Sequence, residues 1–226
     1  MFDLHYYDFD NRAKGFDMSS SNKAYEYIKN LMFEHKIVPG QKLIYRDLEE
    51  SLGLSKTPII SALARLEQEG LVISRKNFGY YVKRLTSEEV DQFYDLRRKL
   101  EEISVVYAVQ NHSPEDLVVL KNALDDYDSH NYNLYDLQRF KLDVQFHIQI
   151  AQMGKNGFLA AVLQQFYENA YILLDIVSLT PMISKFQKDH HLLYNAIKSK
   201  NLKEAKKVIR QHEQTCHKTV GEAMQN

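Results

Sequence analysis

Residues that break helices are concentrated in the first third of the chain, and their scarcity beyond Leu85 constrains the fold most strongly. After Leu85, glycine occurs only at positions 154, 157 and 221, proline occurs only at 114 and 181, and no stretch alternates as a strand does. Helical periodicity predicts six helices, at about 87–111, 114–129, 133–152, 156–178, 181–199 and 202–223. Because short connections favour antiparallel neighbours, residues 86–226 are predicted to form an all-α antiparallel helical bundle.

The first third of the chain has a different pattern. Residues 19–85 predict three helices, with a tight turn between the second and third, followed by a β-hairpin of two short β-type runs. Thr57 is predicted to cap the third helix, with Pro58 at its first position. This order is that of a winged helix-turn-helix, so the fold class is mostly α. Residues 1–18 match neither pattern and are interpreted as an N-terminal arm.

Charge and composition narrow the class of protein. The chain has 29 Lys and Arg against 30 Asp and Glu, but residues 19–84 alone carry 11 basic and 7 acidic side chains, a weak indication of a polyanion-binding module. A single cysteine excludes an intramolecular disulfide and a zinc site built mainly from thiolates. No apolar run approaches the roughly 20 residues of a membrane span, and the acidic, aromatic N-terminus does not resemble a signal peptide. A cytoplasmic protein without a membrane partner is therefore expected.

Polar side chains on the third helix and on the hairpin favour DNA binding. The third helix has an apolar stripe, and its other side chains are free to meet base edges in the major groove. Arg46 on the second helix is expected to contact the DNA backbone, and the hairpin tip suits phosphate or minor-groove contact. The predicted DNA-binding residues of the third helix and the hairpin tip are Lys56, Thr57, Ser61, Arg65, Arg75 and Lys76. The alternative is a winged helix that contacts only protein, with these charges in solvent.

Three histidines and an aspartate occupy helix positions that are otherwise apolar. Asp143 and His147 are four residues apart and so share a helix face, whereas His190 and His212 lie on two other predicted helices. One buried histidine is usually structural, but a cluster of polar groups in a bundle core needs a shared partner such as a cation. Three imidazoles and one carboxylate suit Zn²⁺, Ni²⁺ or Fe²⁺ better than Mg²⁺ or Ca²⁺.

Two neighbours of these histidines are candidates for further ligands. His191 follows His190 directly, and successive helical residues point about 100° apart, so His191 is predicted to lie on the surface. Cys216 lies one helical turn after His212 and is either a small core residue, the favoured interpretation, or a soft ligand.

One run with fixed spacing extends from Gly40 through Arg46-Asp-Leu-Glu-Glu-Ser-Leu-Gly-Leu-Ser-Lys-Thr-Pro58 to Gly79-x-x-Val82. Through this run, residues 20–84 resemble the GntR family of bacterial transcription regulators. It implies that Arg46, Lys56 and Arg65 touch operator DNA, and that Gly79 lets the wing approach the minor groove. Ile60 stands where the family usually has an arginine, and an isoleucine can meet a thymine methyl but cannot form a bidentate contact with guanine.

Residues 87–222 resemble the FadR-type ligand domain of the same family, in its metal-binding branch, and six helices fit the smaller VanR-type version. The resemblance implies that Asp143, His147, His190 and His212 hold the metal. It also implies that Arg97 lies near the ligand cavity, where its guanidinium would clamp a carboxylate; the alternative is a structural salt bridge to Glu101 or Glu102.

The expected function is therefore regulation of transcription. A homodimer is expected to bind a palindromic operator with an affinity that a small organic acid controls at the metal site. A metal-ion sensor remains an alternative. A metal-dependent enzyme is a weaker one, because no general base stands beside the site on a matching motif, and an acyl-CoA reader conflicts with the intact metal quartet.

Overall fold

A computed structural model of the protein describes residues 19–130, 137–174 and 183–223. The predicted arm at 1–18, and the parts of the predicted helices that fall at 133–136 and 175–182, lie outside the described residues. The chain divides into two compact units, one within residues 1–83 and the other within 84–226. The described residues hold nine helices and one small sheet, which confirms the predicted fold class.

The first unit is a winged helix-turn-helix. Its three strands form an antiparallel sheet in the order β1-β3-β2, in which Lys42 pairs with Tyr81 and Arg75 pairs with Gly79. Strand β1 was not predicted, because a run of two residues is too short to show alternation. In chain order the elements are α1 (Ser20–Phe33), β1 (Lys42–Leu43), α2 (Tyr45–Leu52), α3 (Lys56–Gln68), β2 (Val72–Arg75) and β3 (Gly79–Val82).

The turn between α2 and α3 sets the direction of the third helix. Gly53 ends α2 in the left-handed conformation, with φ of 62°, which glycine adopts at little cost, and its N–H donates to the Glu49 carbonyl. Helix α3 begins at Lys56 with Ser55 at the N-cap position, so the prediction that Thr57 caps this helix was wrong. Pro58 lies inside the first turn, where the backbone N–H groups have no helical partner in any case. Helix α3 packs against α1 through a buried stripe of Ile59, Ala62, Leu63 and Leu66.

The second unit consists of helices throughout its described residues. Thr86 caps α4 and Ser113 caps α5 through capping boxes, which is why the sequence predicts both starts correctly. Helix α7 ends at Leu173, because Leu174 is extended, so the predicted helix at 156–178 was wrong at Leu174, and its part at 175–178 lies outside the described residues. The helices are α4 (Ser87–Asn111), α5 (Pro114–Ser129), α6 (Leu137–Met153), α7 (Gly157–Leu173), α8 (Ile183–Lys198) and α9 (Leu202–Ala223).

The core of the helical unit contains both apolar and polar side chains. One apolar cluster includes Phe146, Ile150, Leu193 and Ile209, which come from α6, α8 and α9. The same three helices also carry buried polar side chains, and these form the site described below. No helix among the described residues is both long enough and apolar enough to cross a membrane.

Candidate metal centre and nucleic-acid interface

Three histidines from three helices meet inside the helical unit. His147 of α6, His190 of α8 and His212 of α9 are 0%, 1% and 1% exposed. Each pair of ring centroids is 5.1 Å apart, and one nitrogen from each ring can be chosen so that all three lie within 4.8 Å of one another. The packing of α6, α8 and α9 thus brings together side chains that are 43 and 22 residues apart in sequence.

Most of these ring nitrogens lack a hydrogen-bond partner within the described part of the chain. Both nitrogens of His147, both of His190 and Nδ1 of His212 are buried without one. A buried polar group left unsatisfied costs about 1–3 kcal/mol, so a fold that buries several of them together needs a compensating ligand. A cation that accepts nitrogen lone pairs meets that need.

A carboxylate lies beside each histidine. The distance from His190 Nε2 to Asp143 Oδ1 is 3.4 Å, but Asp143 is not part of the mutually close group that the three histidines form. The distance from His147 Nδ1 to Glu101 Oε1 is also 3.4 Å, and that from His212 Nδ1 to Asp189 Oδ2 is 3.5 Å.

Glu101 and Asp189 were missed as site residues by sequence reasoning. A signal existed for Glu101: it precedes Val105 and Ala108 by one and two helical turns, so it lies on the buried stripe of α4.

Arg97 lies within a buried polar network. Its guanidinium is 3.1 Å from Glu213 Oε1, and it donates a hydrogen bond of 3.1 Å to the Tyr167 hydroxyl, which in turn donates to Glu101. The alternative prediction of a salt bridge to Glu101 or Glu102 was therefore wrong in its partner, because Arg97 pairs with Glu213. Glu102 is instead bound by Arg210 at 2.7 Å.

Among the described residues, the helical unit buries two arginines and four carboxyl side chains. The arginines are Arg97 and Arg139, and the carboxyl side chains are those of Glu101, Asp143, Glu168 and Glu213. Charges in a protein interior are costly unless they are compensated, and burial raises the pKa of Glu213, which favours its neutral form.

Burial and neighbouring charges shift the histidine pKa values. Burial, together with the rings of His212 and His147, holds the pKa of His190 well below its usual range, so His190 is neutral at neutral pH. Burial also lowers the pKa of His212, but the neighbouring Cys216 sulfur, Asp189 and Glu213 outweigh it and raise that pKa well above its usual range. Neutral imidazole is the form that binds a metal, so an ion at this centre would have to displace a proton from His212.

Cys216 and His191, the two further candidate ligands, differ in their surroundings. Cys216 is buried, as expected of a core residue, and its Sγ lies 3.7 Å from His212 Nε2. His191 is exposed and contacts Asp128 at 2.7 Å, as predicted for a surface residue.

The predicted DNA-contacting side chains are exposed on the winged unit. Arg46, on α2, is 81% exposed, and the side chains of α3 off its apolar stripe face solvent, with Ile60 among them at 40% exposure. Gly79 is half-buried at the wing, with φ of 89°. The exposed polar residues of α3 and the wing are Lys56, Thr57, Ser61, Arg65, Arg75 and Lys76.

Three of these cations lie against aromatic rings. The Arg65 guanidinium is 3.6 Å from the centroid of Tyr25 and 3.3 Å from Glu69, Lys56 lies over Tyr45, and Arg75 lies over Tyr81. Stacking restricts the rotamers of these long side chains, which lowers the entropy lost when they bind a phosphate or a base.

This architecture, a winged helix-turn-helix unit followed by a helical unit with a buried polar centre, is that of a DNA-binding transcription regulator. Residues 20–82 match the family described as bacterial regulatory proteins, gntR family, and residues 92–215 match the FCD domain. The chain belongs to the GntR family of transcription regulators, with an FCD ligand-binding domain at its C-terminal end, and this family consists of regulators rather than enzymes.

Individual relatives agree with this assignment. The chain is 25% identical over 191 residues to the HTH-type transcriptional regulator YdhC of Bacillus subtilis, covering 83% of this chain and 85% of the relative. It is 25% identical over 167 residues to McbR of Escherichia coli, covering 72% and 75%. The fold is that of the solved E. coli McbR/YncC, with a TM-score of 0.71 at 21% identity over 92% of this chain and all of that one.

Proposed function

We propose that the protein is a homodimeric regulator whose affinity for a palindromic operator is controlled by a small organic acid at a metal centre. Residues 19–85 bind the operator, and residues 86–226 hold the metal, the effector and the dimer contact, with 1–18 as an N-terminal arm. The protein binds its operator DNA in the cytoplasm. The observation that carries the proposal is the triangle of buried imidazoles with unpaired nitrogens.

The donor set favours a divalent transition metal. His147, His190 and His212 supply three nitrogens, and the Asp143 carboxylate beside His190 supplies an oxygen after a small displacement. Imidazole suits Zn²⁺, Ni²⁺ and Fe²⁺, whereas Mg²⁺ and Ca²⁺ prefer oxygen donors alone. The bound ion would provide a positive charge and open coordination positions for an acid.

Arg97 is a second contact for a carboxylate effector. Its guanidinium is buried and is already paired with Glu213, so an incoming carboxylate competes with Glu213 for the same donors. Glu213 directly follows His212, so this exchange changes the contacts of α9 beside the metal. An effector controls DNA occupancy only by its difference in affinity between two arrangements of the protein.

Operator recognition is assigned to the exposed face of α3, to Arg46 and to the wing. Arg46, Lys56 and Arg65 are assigned to phosphate or guanine, and Thr57 and Ser61 offer hydroxyls to base edges. At the wing, Arg75, Lys76 and Gly79 are assigned to the minor groove. Ile60 lies exposed among them, and we expect it to favour a thymine methyl at its position.

Exposed apolar side chains support the homodimer. Leu96 and Ile103 lie two turns apart on α4, and Phe158 and Val162 lie one turn apart on α7; all four are at least two-fifths exposed. Helices α4 and α7 pack together, with Phe93 stacked on Phe166 at 3.9 Å. Apolar surface on neighbouring helices is typical of an interface, and a two-fold dimer matches a palindromic operator.

The proposal is tested with operator sites selected by the full-length protein from a random duplex library. Affinity for a selected site is measured by fluorescence anisotropy for the metal-free protein, the Zn²⁺-loaded protein, and the loaded protein with small carboxylic acids. We expect at least one acid to change the affinity of the loaded protein only. If no acid does so, and if the affinity is the same with and without metal, the proposed control by the metal centre is refuted.

A metal-ion sensor is the second candidate function, because the unpaired nitrogens of His147 and His190 bind an ion without needing an acid. It predicts that Zn²⁺ or Ni²⁺ alone changes the affinity for the selected site. The His147→Ala variant should lose that response.

A further inference from the structure

We propose that Glu101 is a positioning residue of the metal centre: its carboxylate faces Nδ1 of His147 and would accept the Nδ1 proton of this ring when Nε2 binds an ion, and Asp189 has the same place beside Nδ1 of His212. The inference rests on the proposed metal centre and adds two residues to it that do not bind the ion. It also proposes Nε2 as the ligand nitrogen of each ring.

The contact geometry is the same at two of the three rings. Nδ1 of His147 lies 3.4 Å from a Glu101 oxygen, and Nδ1 of His212 lies 3.5 Å from an Asp189 oxygen. An imidazole that coordinates through Nε2 carries its proton on Nδ1, and a carboxylate is the usual acceptor of that proton in metal sites. Neither contact is a hydrogen bond in the structure, so each ring would have to turn slightly to align its Nδ1–H with the carboxylate, and Nε2 of His212 also lies 3.7 Å from Cys216 Sγ.

The remaining ring agrees with this assignment. His190 approaches Asp143 through Nε2, at 3.4 Å, and Asp143 is itself a proposed ligand. Two ligands of one ion lie roughly 3–3.5 Å apart when each is about 2.1 Å from it. With Asp143 as a ligand, as proposed above, His190 would also bind the ion through Nε2.

Glu101 is held in place from its other side. The Tyr167 hydroxyl donates to the same Oε1 that faces His147, and Arg97 donates to Tyr167. Glu101 is fully buried, so its side chain is confined to these contacts. An acceptor that is fixed in this way gives an imidazole ligand a defined orientation.

This arrangement ties a fourth helix to the metal. The histidines lie on α6, α8 and α9, whereas Glu101 and Arg97 lie on α4, the helix that begins the second unit. Glu101 links α4 to the centre through His147, so this contact depends on how that ring is oriented. Binding of a metal would therefore change the contacts of α4, although α4 itself provides no ligand.

The test replaces the carboxylate without changing its shape. In the full-length protein, Glu101→Gln is expected to weaken Zn²⁺ binding by about 10- to 100-fold, the usual loss when the partner of a ligating histidine is removed. The matched control is Glu102→Gln on the next residue, whose carboxylate is bound by Arg210 instead, and it should leave Zn²⁺ affinity unchanged. Affinity is measured by competition with a chromophoric chelator.

Two further measurements separate positioning from a structural role and from direct ligation. A merely structural Glu101 would lower the melting temperature of the metal-free protein and leave Zn²⁺ affinity intact, which would overturn the inference. The visible spectrum of the Co²⁺-loaded Glu101→Gln variant should keep the wild-type band shape, and a changed coordination number would mean that Glu101 is a ligand, which also overturns it.

Asp189→Asn provides an independent variant should Glu101→Gln fail to fold. It should weaken Zn²⁺ binding in the same range, and wild-type affinity in this variant contradicts the positioning role. A wild-type protein that binds no Zn²⁺, or a His147→Ala variant that binds it as tightly as wild type, instead refutes the proposed metal centre itself.

Discussion

Removal of the metal should destabilise the helical unit by an amount that can be estimated from the site. Folding alone brings His147, His190 and His212 together, so an ion binds the folded chain far better than the unfolded one. At a free Zn²⁺ concentration of about 1,000 times Kd, this difference stabilises the fold by about 4 kcal/mol. For a unit of about 140 residues, 1 kcal/mol shifts Tm by roughly 3 °C, so Zn²⁺ should raise Tm by about 12 °C.

Far-ultraviolet circular dichroism of the chelator-treated protein, with and without Zn²⁺, measures this shift. The His190→Ala variant serves as the control and should show little of this Tm shift, because only two of the three imidazoles remain. His191→Ala changes an exposed histidine one residue away and should keep the full shift. Equal shifts in wild type and in His190→Ala would refute the reasoning, since the ion would then bind elsewhere.

Three further changes test other parts of the account. Arg46→Ala and Arg65→Ala should each lower the slope of log affinity against log salt by about one on a selected operator site, and an unchanged slope would contradict the assigned DNA face. Leu63→Ala empties a fully buried position in the winged unit and should cost about 2–5 kcal/mol of its stability while Zn²⁺ affinity stays constant; equal loss of both would mean that the two units do not fold independently. Ile103→Glu should convert the dimer to a monomer in analytical ultracentrifugation, and a persistent dimer would place the interface elsewhere.

Local signals in the sequence account for the parts of the fold that were predicted correctly. Thr86 and Ser113 begin α4 and α5 through hydrogen bonds that close within four residues, so their effect is visible in the sequence itself. Strand β1 depends on pairing between Lys42 and Tyr81, far apart in the chain, and no local pattern encodes it. The third helix begins at Lys56, before its expected cap, because tertiary packing decides helix ends to within a turn.

In the candidate site, too, features that depend on one helix were predicted and features that depend on packing were not. His147, His190 and His212 were identified because each interrupts an apolar stripe, and this is visible in a single helix. The partner of Arg97 was not, because Glu101, Glu102 and Glu213 are all acidic and only the packing of α4 against α9 selects Glu213. Pairing between charges on different helices is a property of the assembled fold.

The central claim is that the three buried histidines hold a divalent metal in a dimeric regulator. Native mass spectrometry with elemental analysis of the purified full-length protein tests it most directly. We expect a dimer with one transition-metal ion per chain, and a His147→Ala protein without the ion. A wild-type protein that stays metal-free after incubation with Zn²⁺, Ni²⁺ or Fe²⁺, or a variant that retains the ion, would contradict the claim.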